Sequence, residues 1–242
     1  FIPCGAKMPI VGLIAGALFG GNGLIATAAY FIGIAAVVLS GLILKKTKPF
    51  AGDAAPFVME LPAYHAPVAS NIARTTWDRS WSFVKRAGTV ILAASIIIWV
   101  LNSISFENGI HYISETAGGA SILEVVGGWV AVIFRPLGFG TWQATVATLL
   151  GLIAKEEVVG AFGTLSSMGD AEAAFTMFVG GNGVAGYSFM IFNLLCAPCF
   201  GAMGAIRREM NDWRWTAFAI GYMTVFAYAV SMIVYQTGAW FT

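Results

Sequence analysis

Two short segments pair a proline with a cysteine in apolar surroundings: Phe1-Ile2-Pro3-Cys4-Gly5-Ala6-Lys7 and Leu195-Cys196-Ala197-Pro198-Cys199-Phe200-Gly201-Ala202. Proline removes a backbone donor and disrupts a helix, so nearby carbonyls lose their partners, and the small residues that follow let another backbone or a ligand come close. Each segment is expected to be a broken helix with a thiol at the break. A soft metal ion can use both the sulfur and the freed carbonyls. Cys4 and Cys199 supply the sulfur, with Cys196 as a further donor. The competing reading is that each cysteine is a small buried apolar residue; repetition of the Pro-Cys context weighs against it. Met8 and Met203 each follow a Pro-Cys cysteine by four residues and are thioether candidates, although most methionines only pack.

Gly151-Leu152-Ile153-Ala154-Lys155-Glu156-Glu157-Val158-Val159-Gly160 places three ionisable groups inside apolar sequence. Such groups are functional candidates when they lie within a membrane. Neighbours on a helix lie about 100 degrees apart, so Glu156 and Glu157 cannot both face one site. The alternative is a Lys155 to Glu pair that only joins two helix halves. Glu60-Leu61-Pro62-Ala63-Tyr64-His65 is a proline-stiffened element in which Glu60 and His65 are further metal candidates, a loop histidine being more often merely solvated. Thiolate is a soft ligand while carboxylate and imidazole suit harder first-row ions, so a mixed sulfur and oxygen set points to a transition metal rather than Mg or Ca.

The elements that must hold these residues are set by the solvent. Of 242 residues, 58% are hydrophobic and 10% charged, and the mean hydropathy is +0.80. A chain of this composition cannot cover its surface with polar groups, so it is read as an integral membrane protein. The apolar runs are long enough for roughly 30 Å of hydrocarbon, and they lack the period-2 alternation of a barrel. The fold class expected is an all-α, polytopic helix bundle. A net charge of +1 says nothing about nucleic acid, and with no basic, aromatic-interleaved stripe that partner is set aside. Membrane lipid is the partner implied.

Along the chain, residues 8–19 form a half-segment ended by Gly20-Gly21-Asn22-Gly23, and residues 24–44 a full span. Residues 45–86 hold Lys45, Lys46, Lys48, Arg74, Arg79, Lys85 and Arg86. The positive-inside rule makes this region cytoplasmic, with residues 72–85, carrying Trp77 and Trp81, as an interfacial helix. Residues 87–104 run outward to a loop at 105–124, which has acids and no Lys or Arg. Residues 125–134 form a short inward segment and 142–165 an outward helix broken at Lys155. The loop at 166–187, with Asp170 and Glu172, lies outside; residues 188–206 cross inward through the second break, and 215–235 return. The two Pro-Cys segments then occupy oppositely directed positions, an inverted repeat of the kind that places a transport site between broken helices near the midplane.

Three cysteines in so apolar a chain do not make a disulfide framework. No Ser, His and acid set emerges for nucleophilic hydrolysis, since His65 and His111 fall on opposite sides in this topology, and a thiol acyltransferase has little support. No phosphate-binding G-x-x-x-x-G-K-[ST] loop is present.

As a set, Pro3-Cys4-Gly5-Ala6-Lys7-Met8-Pro9, Glu60-Leu61-Pro62-Ala63-Tyr64-His65, Trp142-Gln143-Ala144-Thr145-Val146-Ala147, Ala154-Lys155-Glu156 and Pro198-Cys199 resemble the membrane domain of the ferrous iron transport protein B family, from Phe1 to about Phe241. The resemblance implies two Gate-type inverted repeats: residues 1–44 as the end of the first, 45–86 as the linker with the Glu60–His65 element, and 87–242 as central spans and the second. It implies a bacterial inner-membrane importer of Fe(II). Such an importer has a GTP-hydrolysing G domain, which uses Mg, a small cytoplasmic partner protein, and a possible homo-oligomeric assembly. The expectation is that this chain is a fragment truncated at both ends, not itself an enzyme. By the same resemblance Cys4 and Cys199 line the route and Glu156 lies beside it, while Glu157 and Cys196 depart from the family pattern. Two other functions stay open: a nucleoside-type secondary transporter on the same architecture, and a metal-binding scaffold without flux.

Overall fold

The computed structural model of the protein describes residues 1–47, 68–105, 111–112, 122–165 and 170–241. Glu60 and His65 lie outside the described residues. Proline and glycine punctuate the helices. Pro3 precedes a short 3-10 turn, Gly5–Lys7, that leads into α1 (Met8–Phe19). Gly20 and Gly21 end α1 with φ of 59° and 77°, a left-handed region that glycine enters freely. The Gly21 N–H reaches the Ala15 carbonyl at 2.8 Å. Asn22 then caps α2 (Gly23–Lys45), its side-chain oxygen accepting from the Leu24 N–H at 3.0 Å.

Helix α3 (Ala69–Ser103) runs as one element through the basic, Trp-bearing stretch and on into the apolar one. A separate interfacial helix was expected over residues 72–85; no proline separates the two stretches, and the helix continues through residue 86, the expected edge of the linker. A two-residue strand pair, Ile104–Ser105 with His111–Tyr112, follows α3. Helix α4 (Ile122–Phe134) ends at the Arg135–Leu137 turn, closed by Gly138 at φ 88°. Helix α5 (Trp142–Ile153), capped by Thr141, then leaves at 95° to α4. Gly127 permits the close crossing, because a Cβ there would lie 2.8 Å from Val146 and 3.2 Å from the Trp142 carbonyl.

The chain breaks at Ala154 and resumes as α6 (Glu157–Leu165). The expected outer loop at 166–187 contains instead a packed helix, α7 (Ala171–Phe178). Asp170 caps it through the Glu172 N–H at 3.0 Å, and Ala174, Phe175 and Phe178 fall on one buried face, so a short amphipathic helix forms where acidic residues suggested only a loop. A second Gly-Gly-Asn-Gly turn, Gly180 to Gly183, repeats the first with φ of 68° and 66° and with Asn182 accepting from the Val184 N–H. Helices α8 (Gly183–Leu195) and α9 (Phe200–Met210) flank the second Pro-Cys break, and α10 (Trp213–Phe241) completes the bundle.

Helix α8 is the axis of the packing. It buries Phe189, Met190, Ile191, Phe192, Leu194 and Leu195, and the Phe189 ring meets those of Phe139, Phe162 and Phe175 at 5.1–5.8 Å between centroids. Helix α10 is locked against it by the buried Ser188 and Ser231, whose hydroxyls lie 2.8 Å apart, the Ser231 hydroxyl donating to the Ser188 carbonyl. Outward, α2 and α10 display Phe31, Ile34, Val38, Leu42, Val225 and Ile233. An apolar exterior of this extent is the signature of a lipid solvent. Among the described residues Gly23–Lys45, Gly183–Met210 and Trp213–Trp240 are long and apolar enough to cross a membrane, and the α4–α5 pair adds a bent fourth. The protein is an all-α membrane bundle with broken helices.

Candidate functional site

Three interruptions of the chain meet: the entry to α1, the α5–α6 break and the α8–α9 break. The reason lies in hydrogen bonding. In a continuous helix the N–H of residue 198 would bond the carbonyl of Leu194, and Pro198 has no N–H to give. The Lys7 ammonium, from the first break, donates to that Leu194 carbonyl at 2.5 Å. Lys155, at the α5–α6 break, donates through Nζ to Cys196 Sγ at 3.0 Å. Cys196 in turn reaches the Asn193 carbonyl at 3.6 Å. Both lysines are buried, Lys7 at 7% and Lys155 at 1% exposure.

The two Pro-Cys cysteines hold the same backbone position. Cys4 precedes the Gly5–Lys7 turn at φ −93° and ψ 169°, and Cys199 caps α9 at φ −62° and ψ 160°. In each the carbonyl accepts from the new helical turn, Lys7 N–H to Cys4 and Met203 N–H to Cys199, both at 2.9 Å. Neither thiol makes a capping hydrogen bond. Both thiols are therefore left uncommitted to the turns they precede.

Cys4, Cys196, Cys199 and Lys155 all lie within electrostatic reach of the Lys7 ammonium. Cys4 is exposed, Cys199 half-buried and Cys196 buried, and all three are free thiols. Glu156 is half-buried at the α5–α6 break with Glu157 in electrostatic reach, and it is not among the charged neighbours of Lys7. Lys155 thus turns to a thiol rather than to either glutamate. Among the described residues no three His, Cys, Asp or Glu side chains converge into a ready-made metal site.

The α8–α9 break, with Cys196 and Cys199, lies in the middle of the Gly183–Met210 span. Gly33 on α2 makes room for the first break. A Cβ there would stand 3.1 Å from the Phe1 carbonyl and 3.3 Å from the Ile2 Cα. Sequence reading missed two residues. Lys7 looked like a flank of the Pro-Cys motif, although a lysine inside apolar sequence is itself a signal. Asn193, fully buried on α8 with its Oδ1 unpartnered, had no motif to mark it.

Broken helices joined by buried polar groups in mid-span define a polytopic membrane protein of the broken-helix class. Residues 84–213 match the family described as Nucleoside recognition, the Gate domain, and residues 26–79 match Ferrous iron transport protein B C terminus. The chain belongs to the Gate family. It is 37% identical to the Fe(2+) transporter FeoB of Staphylococcus aureus strain COL, over 98% of this chain and 35% of that protein. It is 32% identical to the Fe(2+) transporter FeoB of Methanocaldococcus jannaschii and 34% identical to that of Salmonella typhi, again over 98% of this chain and 36% and 37% of theirs. The chain spans about a third of the length of these relatives. No solved structure matches it.

Proposed function

We propose that this chain is the permeation portion of a ferrous iron importer. The observation that carries the reading is the meeting of the two Pro-Cys breaks, where Lys7 of the first donates to the Leu194 carbonyl that Pro198 leaves without a backbone donor. The names of the relatives supply the metal. Fe(II) sheds water at the breaks, exchanges among Cys4, Cys199 and Glu156 with Cys196 as a further donor, and leaves to the cytoplasm. Loose ligation suits this task, because a pore site that binds too tightly does not release. Glu60 is a candidate for the cytoplasmic end of the same route.

The wider assembly follows from the same reading. The protein sits in a bacterial inner membrane, its Gate repeats inverted, as one part of a longer chain whose G domain hydrolyses GTP with Mg. A small cytoplasmic partner and a homo-oligomeric assembly complete it. The described residues hold no phosphate loop, so GTP binding is not assigned to any of them.

The test is anaerobic Fe(II) uptake by the intact protein in proteoliposomes, with Cys4→Ser/Cys199→Ser as the comparison. Loss of uptake with normal membrane insertion is the expected result. Unchanged uptake would remove the cysteines from the route. A second reading, nucleoside transport, is favoured by the description of the Gate family; inhibition of uptake by added nucleosides would support it, and saturable metal binding without flux would make the domain a scaffold.

A further inference from the structure

A cation is already seated where the proposed cargo must pass. Lys7 is tethered to the first break, yet its ammonium fills the acceptor vacancy of the second, at the C-terminal end of α8. That end carries the negative pole of the helix and a carbonyl that Pro198 leaves without a backbone donor, the groups that hold cations in broken-helix sites. Lys155 and the three cysteines are in electrostatic reach of the Lys7 ammonium. Asn193 Oδ1, buried and unpartnered a few residues before the break, leaves a further oxygen with no donor. The break thus has spare acceptor capacity and a movable positive group on a long flexible stem.

We propose that Lys7 is an internal counter-cation: its ammonium occupies the Leu194 carbonyl while the route is empty, yields it to an arriving dication, and by charge repulsion drives that dication onward. Lys7 is a positioning and specificity-determining residue in this scheme, not a ligand. The arrangement makes a vacant route poor for monovalent ions, which cannot outcompete a tethered ammonium. It also keeps dication residence short. The inference rests on the reading of the breaks as the Fe(II) route.

The experiment measures anaerobic Fe(II) binding and Fe(II) flux with the intact protein, in nanodiscs and proteoliposomes, for wild type, Lys7→Gln, Lys7→Arg and Cys4→Ser/Cys199→Ser. Lys7→Gln keeps a neutral donor for the Leu194 carbonyl and removes the charge. It is expected to bind Fe(II) about tenfold tighter, as expected for loss of one nearby like charge, and to release it more slowly, while Lys7→Arg behaves as wild type. Equal or weaker binding by Lys7→Gln, with wild-type binding abolished in the double cysteine variant, would overturn the counter-cation and leave the route intact. Absence of saturable wild-type binding would overturn both. A measurement on the wild type alone stands beside these: Fe(II) should raise the rate of reductive methylation of Lys7 as the ammonium is displaced, and an unchanged rate would also overturn the proposal.

Discussion

After Pro3-Cys4, α1 runs into the bundle and buries Ile10, Val11, Leu13, Ile14 and Ala15 against α6, α7 and α8; after Pro198-Cys199, α9 buries no residue and packs on α10 and α5 with Arg207 and Arg208 in its last turn. The two breaks nevertheless share an extended cysteine at the same cap position and a carbonyl hydrogen bond of the same length. A repeated motif therefore dictates how the backbone restarts and leaves open what the restarted helix touches. Burial follows the composition of each helix: α1 is apolar on all sides, whereas α9 ends in Arg207, Arg208 and Glu209. The asymmetry is also what lets Lys7 of the first break serve the second.

The largest expected effect contrasts the two restarted helices. Ile14→Ala should lower stability by about 2–4 kcal/mol, because the side chain is fully buried and its loss leaves a cavity. Phe200→Ala, at 59% exposure on α9, should change it by no more than about 0.5 kcal/mol. Thermal unfolding in detergent decides, and similar losses would abolish the distinction between the breaks.

Next comes the seat of the first break. Gly33→Val should cost about 1–3 kcal/mol by pushing α2 off the Phe1 and Ile2 backbone. Gly201→Ala, whose Cβ would meet Cys199 Sγ at an ordinary 3.9 Å, should be tolerated. Maleimide labelling would show Cys4 reacting faster in Gly33→Val, and an unchanged rate would mean that the close approach does not hold the segment.

A smaller effect is expected where the α5–α6 break meets the second thiol. Lys155→Met removes the donor to Cys196 and should cost about 1–2 kcal/mol in chemical unfolding. The conservative Lys155→Arg cannot reproduce a point donor at 3.0 Å in a closed site and should recover only part of it. Full stability in Lys155→Met would show the contact to be incidental.

The smallest effects test what the repeats share. Asn22→Ala and Asn182→Ala each remove one cap of the same geometry, at 3.0 and 2.9 Å, and each should cost about 1 kcal/mol. Melting temperatures lowered by clearly unequal amounts would show that tertiary packing, not the local turn, sets the strength of these caps.

Much was legible along the chain because it is local. Proline positions predicted the breaks at Cys4 and Cys199, the Lys155 interruption predicted the gap between α5 and α6, and Gly20 to Gly23 predicted a tight turn, since each depends only on backbone donors and allowed φ. The second Gly-Gly-Asn-Gly was equally readable as an exact repeat of the first. Helix α7 was obscured because Asp170 and Glu172 signal exposure while Phe175 and Phe178 lie on its other side. The union of α3 was obscured because a change in composition at residue 86 carries no helix-breaking residue.

By itself the sequence determined that lipid is the solvent, that the secondary structure is helical and where the helices must stop, because composition and missing N–H groups act over a few residues. Only the tertiary structure decided that Lys7 answers the carbonyl orphaned by Pro198, that Lys155 meets Cys196 instead of a glutamate, and that Glu156 is not among the charged neighbours of Lys7. Those outcomes join residues 187 and 41 positions apart, and which orphaned acceptor finds which donor is settled only when the packing of α8 brings them within reach.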